Sequence, residues 1–285
     1  MTGGQAVVEC IRREGVRHVF NVPGESYLAA LDAFYDVPEI QLITNRQEGG
    51  SCLMAEAYAK ATRTVGVCFV TRGPGATNAS LGVHVAQQDS TPLVLFVGQV
   101  PRVNRGREAF QELDYPSVFG TMTKWTVEID VAERVPAIVQ RAFHIARSGR
   151  PGPVVIALPE DMLVDEADMR FGTPSQVAKP TPDATEIDRL VKRLNGANKV
   201  GLLVGSGVQD ATTLEALVRF AETYELPVVT SFRRMDAFPN SHANYAGNLG
   251  IGASPGQKMV QEADLVLVLG DRLSEMTTND YKLLN

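Results

Sequence analysis

The sequence predicts an α/β protein made of two doubly wound, mostly parallel-sheet domains, and three observations predict it. Short apolar runs of strand length alternate with helix-length runs along nearly all of the 285 residues, the pattern of parallel strands joined by covering helices. Turns containing Gly and Pro follow several of these runs, as happens where strands end at a sheet edge. One stretch rich in Pro, Asp, Thr and Ala has no sustained period and marks a linker between two alternating sets.

The elements follow in order. Ala6, Val7, Cys10 and Ile11 recur at helical spacing, and Gly15 is placed to end that helix in a left-handed cap. A strand at 17–20 precedes a helix at 26–35, a strand at 40–44 a helix at 46–61, and a strand at 65–70 a helix at 76–87, before a strand at 93–97. Residues 99–113 have little apolar pattern and read as a long loop, of the kind that is often functional. A short strand opens at Lys124 and Trp125, followed by a helix at 132–147 and a strand at 153–158. Period is lost over 159–183. We place the first domain at 1–165, the linker at 166–183 and a second domain at 184–285, with helices at 185–194 and 211–224 and strands at 200–204, 227–230 and 264–269.

Composition narrows the function. With 44% hydrophobic and 21% charged residues the chain is an ordinary globular protein, long enough for about two domains. A net charge of −6 spread along it gives no reason to expect nucleic acid or an anionic membrane as partner. The longest apolar runs, 93–97 and 265–269, are too short to cross a bilayer, and the amino terminus enters a helical pattern without the features of a signal peptide. Cys10, Cys52 and Cys68 form no metal-ligand spacing and read as reduced core thiols of a cytoplasmic protein. His18, His84, His144 and His242 lack acidic or cysteine partners at motif spacing, although His84 follows a candidate loop closely enough to line a site. Ser26 and Ser80 lie in no Gly-x-Ser-x-Gly elbow, which leaves hydrolase chemistry unsupported.

The strongest candidate for chemistry is Glu48, at the junction between the apolar strand 40–44 and the helix that follows. A carboxylate there, flanked by small residues and followed by Cys52, Leu53 and Met54, is partly withdrawn from water and suited to proton chemistry. Its alternative role is to favour the first helical turn through the macrodipole. The loops Asn21-Val-Pro-Gly-Glu-Ser26 and Thr71-Arg-Gly-Pro-Gly-Ala-Thr-Asn78 each follow a strand and precede a helix, so both belong at the carboxyl edge of one sheet, where such sheets bind ligands. Their glycines permit close backbone approach and their prolines stiffen the turn. Arg102, Arg105 and Arg107 in the long loop either attract a substrate carboxylate or form a solvated basic face.

The order and wording of these segments resemble the pyrimidine-binding domain of thiamine-diphosphate enzymes of the acetolactate synthase-like group. The resemblance rests on Gly15-Val-Arg-His-Val-Phe-Asn-Val-Pro-Gly24, Arg46-Gln-Glu48, Gly73-Pro-Gly-Ala-Thr-Asn78, Pro92-Leu-Val-Leu-Phe-Val-Gly-Gln99 and Ala109-Phe-Gln-Glu-Leu-Asp114. It implies a thiamine-diphosphate-binding fold followed by a Rossmann-like central domain. It also implies that Glu48 hydrogen-bonds N1′ of the cofactor's aminopyrimidine, promoting the imino form whose nitrogen deprotonates thiazolium C2 for attack on a 2-oxo acid. By the same correspondence Val22, Pro23, Gly24, Pro74 and Asn78 contact the cofactor, and Gln111 stands near the reacting centre. Val22 and Glu25 depart from the Tyr and second Gly usual in acetolactate synthases, and Asn45-Arg-Gln-Glu-Gly-Gly-Ser51 departs from the usual Arg-His-Glu-Gln-Gly-Ala.

The resemblance further implies a decarboxylase and carboligase of branched-chain amino acid biosynthesis, working as a homodimer or tetramer. Related alternatives are a 2-hydroxyacyl-CoA lyase or a sulfoacetaldehyde acetyltransferase. A noncatalytic assembly module is the rival from another class, and glyoxylate carboligase is disfavoured because it lacks the glutamate. The family's diphosphate-binding domain, with the Mg²⁺ ligands, is expected to be absent here, so no metal ligand is assigned; a second copy of the chain or a diphosphate-domain partner would complete the site. Gly270-Asp271-Arg272 starts like the diphosphate motif but lacks its third glycine, and reads as a strand-end turn. Gly205-Ser-Gly-Val-Gln-Asp210 follows a strand as dinucleotide loops do, and is either an FAD contact or a tight structural turn.

Overall fold

The computed structural model describes residues 1–174, 176–208 and 210–284. Gln209, within the candidate flavin loop, and Asn285, the last residue, lie outside them. The chain forms two units, Met1–Ala178 and Lys179–Asn285.

The first unit starts with α1, Gly3–Arg13. Thr2 Oγ1 accepts from Gln5 N while Thr2 N donates to Gln5 Oε1, a reciprocal box that satisfies two otherwise orphaned donors. At the other end Val16 N donates to Ile11 O and Gly15 N to Arg12 O, with Gly15 at φ +80°. This is the left-handed cap expected of Gly15.

Six strands then form one wholly parallel sheet: β1 His18–Asn21, β2 Gln41–Thr44, β3 Gly66–Val70, β4 Leu93–Gln99, β5 Trp125–Glu128 and β6 Pro153–Pro159. Their order is β2-β1-β3-β4-β6-β5. Strand alternation sorts the core. Val19, Val67, Phe69, Val94, Phe96, Val154 and Ile156 face the layer holding α1, α2 (Leu28–Tyr35), α6 (Val135–Arg147) and α7 (Glu160–Val164). Phe20, Cys68, Val70, Leu95, Val97 and Val155 face the opposite layer of α3 (Glu48–Thr62), α4 (Pro74–Asp89) and α5 (Tyr115–Phe119). Both faces are therefore apolar, which is why these strands read as continuous hydrophobic runs. Phe69 and Phe96 stack at the centre, 4.5 Å between ring centroids.

Helices α3 and α4 cross tightly. A side chain at Gly82 would come within 2.6 Å of Cys52 Cβ, so only glycine permits this spacing. At their far ends Lys60 pairs with Glu56 at 2.9 Å and with Asp89, and Thr91 Oγ1 donates to Glu56 at 2.8 Å. Locked together in this way, the two helices bring their amino ends side by side at the carboxyl edge of the sheet.

Several elements differ from expectation. Residues 132–134 and 25–27 are 3₁₀ turns ahead of α6 and α2. The first part of the irregular stretch after 158 is structured: α7 buries Met162 and Leu163, Thr2 bridges Glu166, and Met169 and Phe171 pack on the first core. Their apolar side chains tie this segment down although no period announces it. The three cysteines are buried and free.

The second unit holds a parallel sheet, β10-β7-β8-β9, from β7 Val200–Val204, β8 Val228–Thr230, β9 Tyr245–Asn248 and β10 Leu265–Leu269. Helix α9 (Ala211–Thr223) lies on one core and α10 (Pro255–Glu262) on the other, while α8 (Ala184–Gly196) precedes them. Strand β9 lies in the Asn-, Gly- and Pro-rich segment 231–256 and α10 starts at its end, between residues 230 and 264 where the sequence pattern predicts no element. Ser254, whose side chain accepts from Gln257 N, and Pro255 start α10. No described helix is long and apolar enough to cross a membrane.

Candidate active site

Three strand-to-helix loops meet at the carboxyl edge of the first sheet because β2, β1 and β3 are neighbours there. Glu48 is the first residue of α3, and the Gln47 side chain caps the helix by accepting from Gly50 N. The Glu48 carboxyl group is half-buried, and its Oε2 accepts a 2.9 Å hydrogen bond from Asn78 Nδ2. Among the described residues Oε1 accepts none. It lies on the side of Gly75, where an added Cβ would come within 3.5 Å of it and within 2.8 Å of Thr71 Cγ2.

Pro74 begins α4, a position where its missing N–H costs nothing. Gly73, at φ +37°, lies so close to Gln111 that an added Cβ would be 2.8 Å from its carbonyl oxygen. Gln111 itself has φ +65°, a left-handed backbone that a non-glycine residue adopts only when its surroundings hold it there. On the first loop, Gly24 packs against Thr71 and Ser26 Oγ bonds Thr71 Oγ1 at 3.0 Å. Val22 is half-buried, donating to Phe69 O and accepting from Tyr27 OH at 2.5 Å. Pro23 is exposed. The sequence-derived residues thus fall on segments that converge on Thr71–Gly75, and Glu48 and Asn78 are joined by a direct side-chain hydrogen bond.

Two groups escaped sequence reasoning. Tyr115, on the unassigned helix α5, accepts from Gly73 N and donates to Gly98 O, each at 3.1 Å. Burial pushes its hydroxyl up to about 12, so it stays a donor across ordinary pH. The signals were the Asp114 cap and Pro116 just inside the helix. Arg72 is the second, buried in the loop with Glu25 and Glu160 as partners.

The loop arginines take neither role foreseen for them, except Arg107, which is exposed. Arg102 is tied to Asp161 at 2.9 Å, Asp165 at 2.7 Å and the Asp130 carbonyl, while Arg105 pairs with Glu128 at 3.2 Å. Glu112 accepts from the amides of Gly106 and Ala109, and these bonds hold its carboxyl below the usual range. The long loop is therefore braced by its own charges. His84 is exposed on α4, and His242 does have an acidic partner, Glu222 at 3.1 Å.

In the second unit the loop after β7 directs Gly205 N to Leu269 O and Gly207 N to Gly270 O. Gly270, at φ +66°, forms the strand-end turn expected of that segment.

Comparison with known proteins accords with this geometry. Residues 1–118 match the thiamine pyrophosphate enzyme N-terminal TPP binding domain, and residues 187–285 the central domain of the same enzymes. The chain belongs to the thiamine pyrophosphate enzyme family. It is 36% identical over 289 aligned residues to the acetolactate synthase large subunit of Haemophilus influenzae, covering 99% of this chain and 50% of that protein. It is 35% identical to the isozyme 3 large subunit of Escherichia coli, covering 98% and 50%, and 34% identical to a probable large subunit of Methanocaldococcus jannaschii, covering 99% and 49%. The chain spans about half the length of the curated relatives it matches. In this family's terms the match covers the N-terminal and central domains of acetolactate synthase large subunits.

The site fits the cofactor's aminopyrimidine on its own chemistry. A carboxyl oxygen that accepts no hydrogen bond among the described residues can accept from or donate to a ring nitrogen.

Proposed function

We propose that this chain forms the aminopyrimidine-binding half of a thiamine-diphosphate enzyme that decarboxylates a 2-oxo acid and joins the remaining fragment to an acceptor, as acetolactate synthases do. The carrying observation is Glu48: Oε2 fixed by Asn78, Oε1 left open at the meeting of three loops. When bound, thiamine diphosphate supplies an acidic ring carbon that adds to the oxo group and accepts the electron pair released with carbon dioxide.

The protein's part is proton placement. Asn78 holds one oxygen, so the carboxyl group at the start of α3 has a fixed orientation. Oε1 then holds or releases a proton towards the pyrimidine nitrogen. Pro74, Gly75 and Gly24 present backbone at close range, and Val22, Pro23 and Gln111 line the approach. Tyr115 keeps the Gly73 turn in place from below the site.

Among the described residues no group of His, Cys, Asp and Glu suits a metal. We assign the diphosphate and Mg²⁺ to other protein, either further polypeptide or a partner subunit, with a second copy of this chain in the working assembly. The Gly205 and Gly207 amides already serve backbone carbonyls, and we assign them no flavin. Three buried free thiols favour a cytoplasmic setting.

Glu48→Gln in the enzyme completed with its diphosphate-binding portion tests the reading. The amide cannot exchange a proton at Oε1, so kcat should fall by roughly 10²–10⁴-fold, while the melting temperature stays within about 2 °C of wild type. Carboligation surviving at near the wild-type rate sinks the assignment.

A further inference from the structure

We propose that Arg72 is a positioning residue that clamps the first cofactor loop and the Gln111 segment onto the Gly73–Asn78 turn. Arg72 is 6% exposed. One guanidinium nitrogen bonds Glu25 at 2.5 Å on the loop after β1, the other reaches Glu160 at 3.4 Å on α7, and the guanidinium carbon stands 5.9 Å from the centre of the Phe110 ring, next to Gln111. Its carbonyl accepts from Gly75 N at 3.0 Å. A single side chain thereby touches two segments that converge on the site, the loop after β1 and the Phe110–Gln111 stretch, together with α7, and its own backbone belongs to a third.

Strength is a poor explanation for this arrangement. Removing a guanidinium from water offsets most of what its ion pairs contribute, and the buried Nε of Arg72 has no hydrogen-bond partner. Glu25, whose side chain is 70% exposed, is held mainly by this pair. What the fork-shaped guanidinium supplies is geometry, since one planar group reaches two carboxylates at a fixed angle and a lysine ammonium does not.

The proposal rests on the proposed function for its kinetic part, and one arm of the test is independent of it. Hydrogen exchange on the full chain should be accelerated at least fivefold in residues 22–27 and 106–113 by Arg72→Met, with β4 amides unchanged. In the completed enzyme Arg72→Met should lower kcat at least tenfold and raise the thiamine diphosphate concentration for half-activity, leaving KM for the 2-oxo acid within twofold. Glu25→Gln, on an exposed side chain and safe for folding, should give the same pattern more weakly, and the double variant should be no worse than Arg72→Met. Unchanged loop exchange in both single variants, or acceleration spread evenly over β4, overturns the clamp. Altered KM with normal kcat also overturns it, pointing to substrate contact. A wild-type enzyme without thiamine-dependent activity would defeat the proposed function and leave the exchange arm to decide the clamp.

Discussion

The carboxyl edges of the two sheets carry similar glycine loops in different settings. In the first unit the glycines let the backbone pack close to a carboxyl group: an added Cβ at Gly75 would meet Thr71 Cγ2 at 2.8 Å and Glu48 Oε1 at 3.5 Å, and one at Gly73 the Gln111 carbonyl oxygen at 2.8 Å. In the second, Gly205 and Gly207 pack against the turn after β10. Their amides bond Leu269 and Gly270, and a Cβ at Gly207 would sit 2.5 Å from Gly270 Cα. The supporting layers differ as well. Helix α6 buries seven residues, whereas α8 buries none, leaving Ile187 and Val191 more than 40% exposed. A glycine-rich strand-end loop is thus not a ligand site by composition; what counts is which side chains it brings together, as the Thr71–Asn78 loop brings Asn78 to Glu48. Substitutions should accordingly strike activity in the first unit and stability in the second.

After Glu48 itself, the largest expected effect is at Asn78. Asn78→Ala frees the Glu48 carboxyl group to rotate, and misorientation of a catalytic group costs on the order of a hundredfold in kcat. Both side chains reach the surface, so stability should fall by about 1 kcal/mol or less. Steady-state kinetics beside a thermal melt separates the two, and a kcat within threefold of wild type would break the contrast. Gly207→Ala should do the reverse. The clash is with backbone, which cannot rotate aside, so about 2 kcal/mol of stability should be lost. Urea unfolding measures it, and activity per folded molecule should be unchanged. If Gly207→Ala is neutral, the loop has room that the close packing denies.

The alternation of strands and helices was legible because parallel strands buried on both faces leave unbroken apolar runs, as 65–70 and 93–97 do. Glu48 and the Gly73–Asn78 turn were legible because their signal is local. Arg72 was not: its partners Glu25 and Glu160 lie 47 and 88 residues away, and nothing in a glycine loop announces that an arginine will be buried. Tyr115 and α10 were missed for another reason. Short elements have too few residues to display a period, and only their caps, Asp114 and Ser254, marked them. The loop arginines misled because charge is visible in sequence and its counter-charge is not.

That last point yields the smallest prediction. Arg102 donates from its side chain to Asp161 Oδ2 and from its backbone to Oδ1, at 2.9 and 3.0 Å. Burial alone would push the Asp161 carboxyl up, but these bonds outweigh it and hold the group below its ordinary 3.8. A carboxyl group depressed in the folded state contributes stability above its unfolded value and loses that contribution as pH falls through the folded one. Asp161→Asn should therefore cost about 1 kcal/mol at neutral pH. The gap to wild type should narrow only below the ordinary 3.8. Chemical unfolding at pH 7 and at pH values below that limit reads the difference. A gap that persists unchanged in acid would mean the Asn side chain disturbs packing, and that the loop is braced by shape instead of charge.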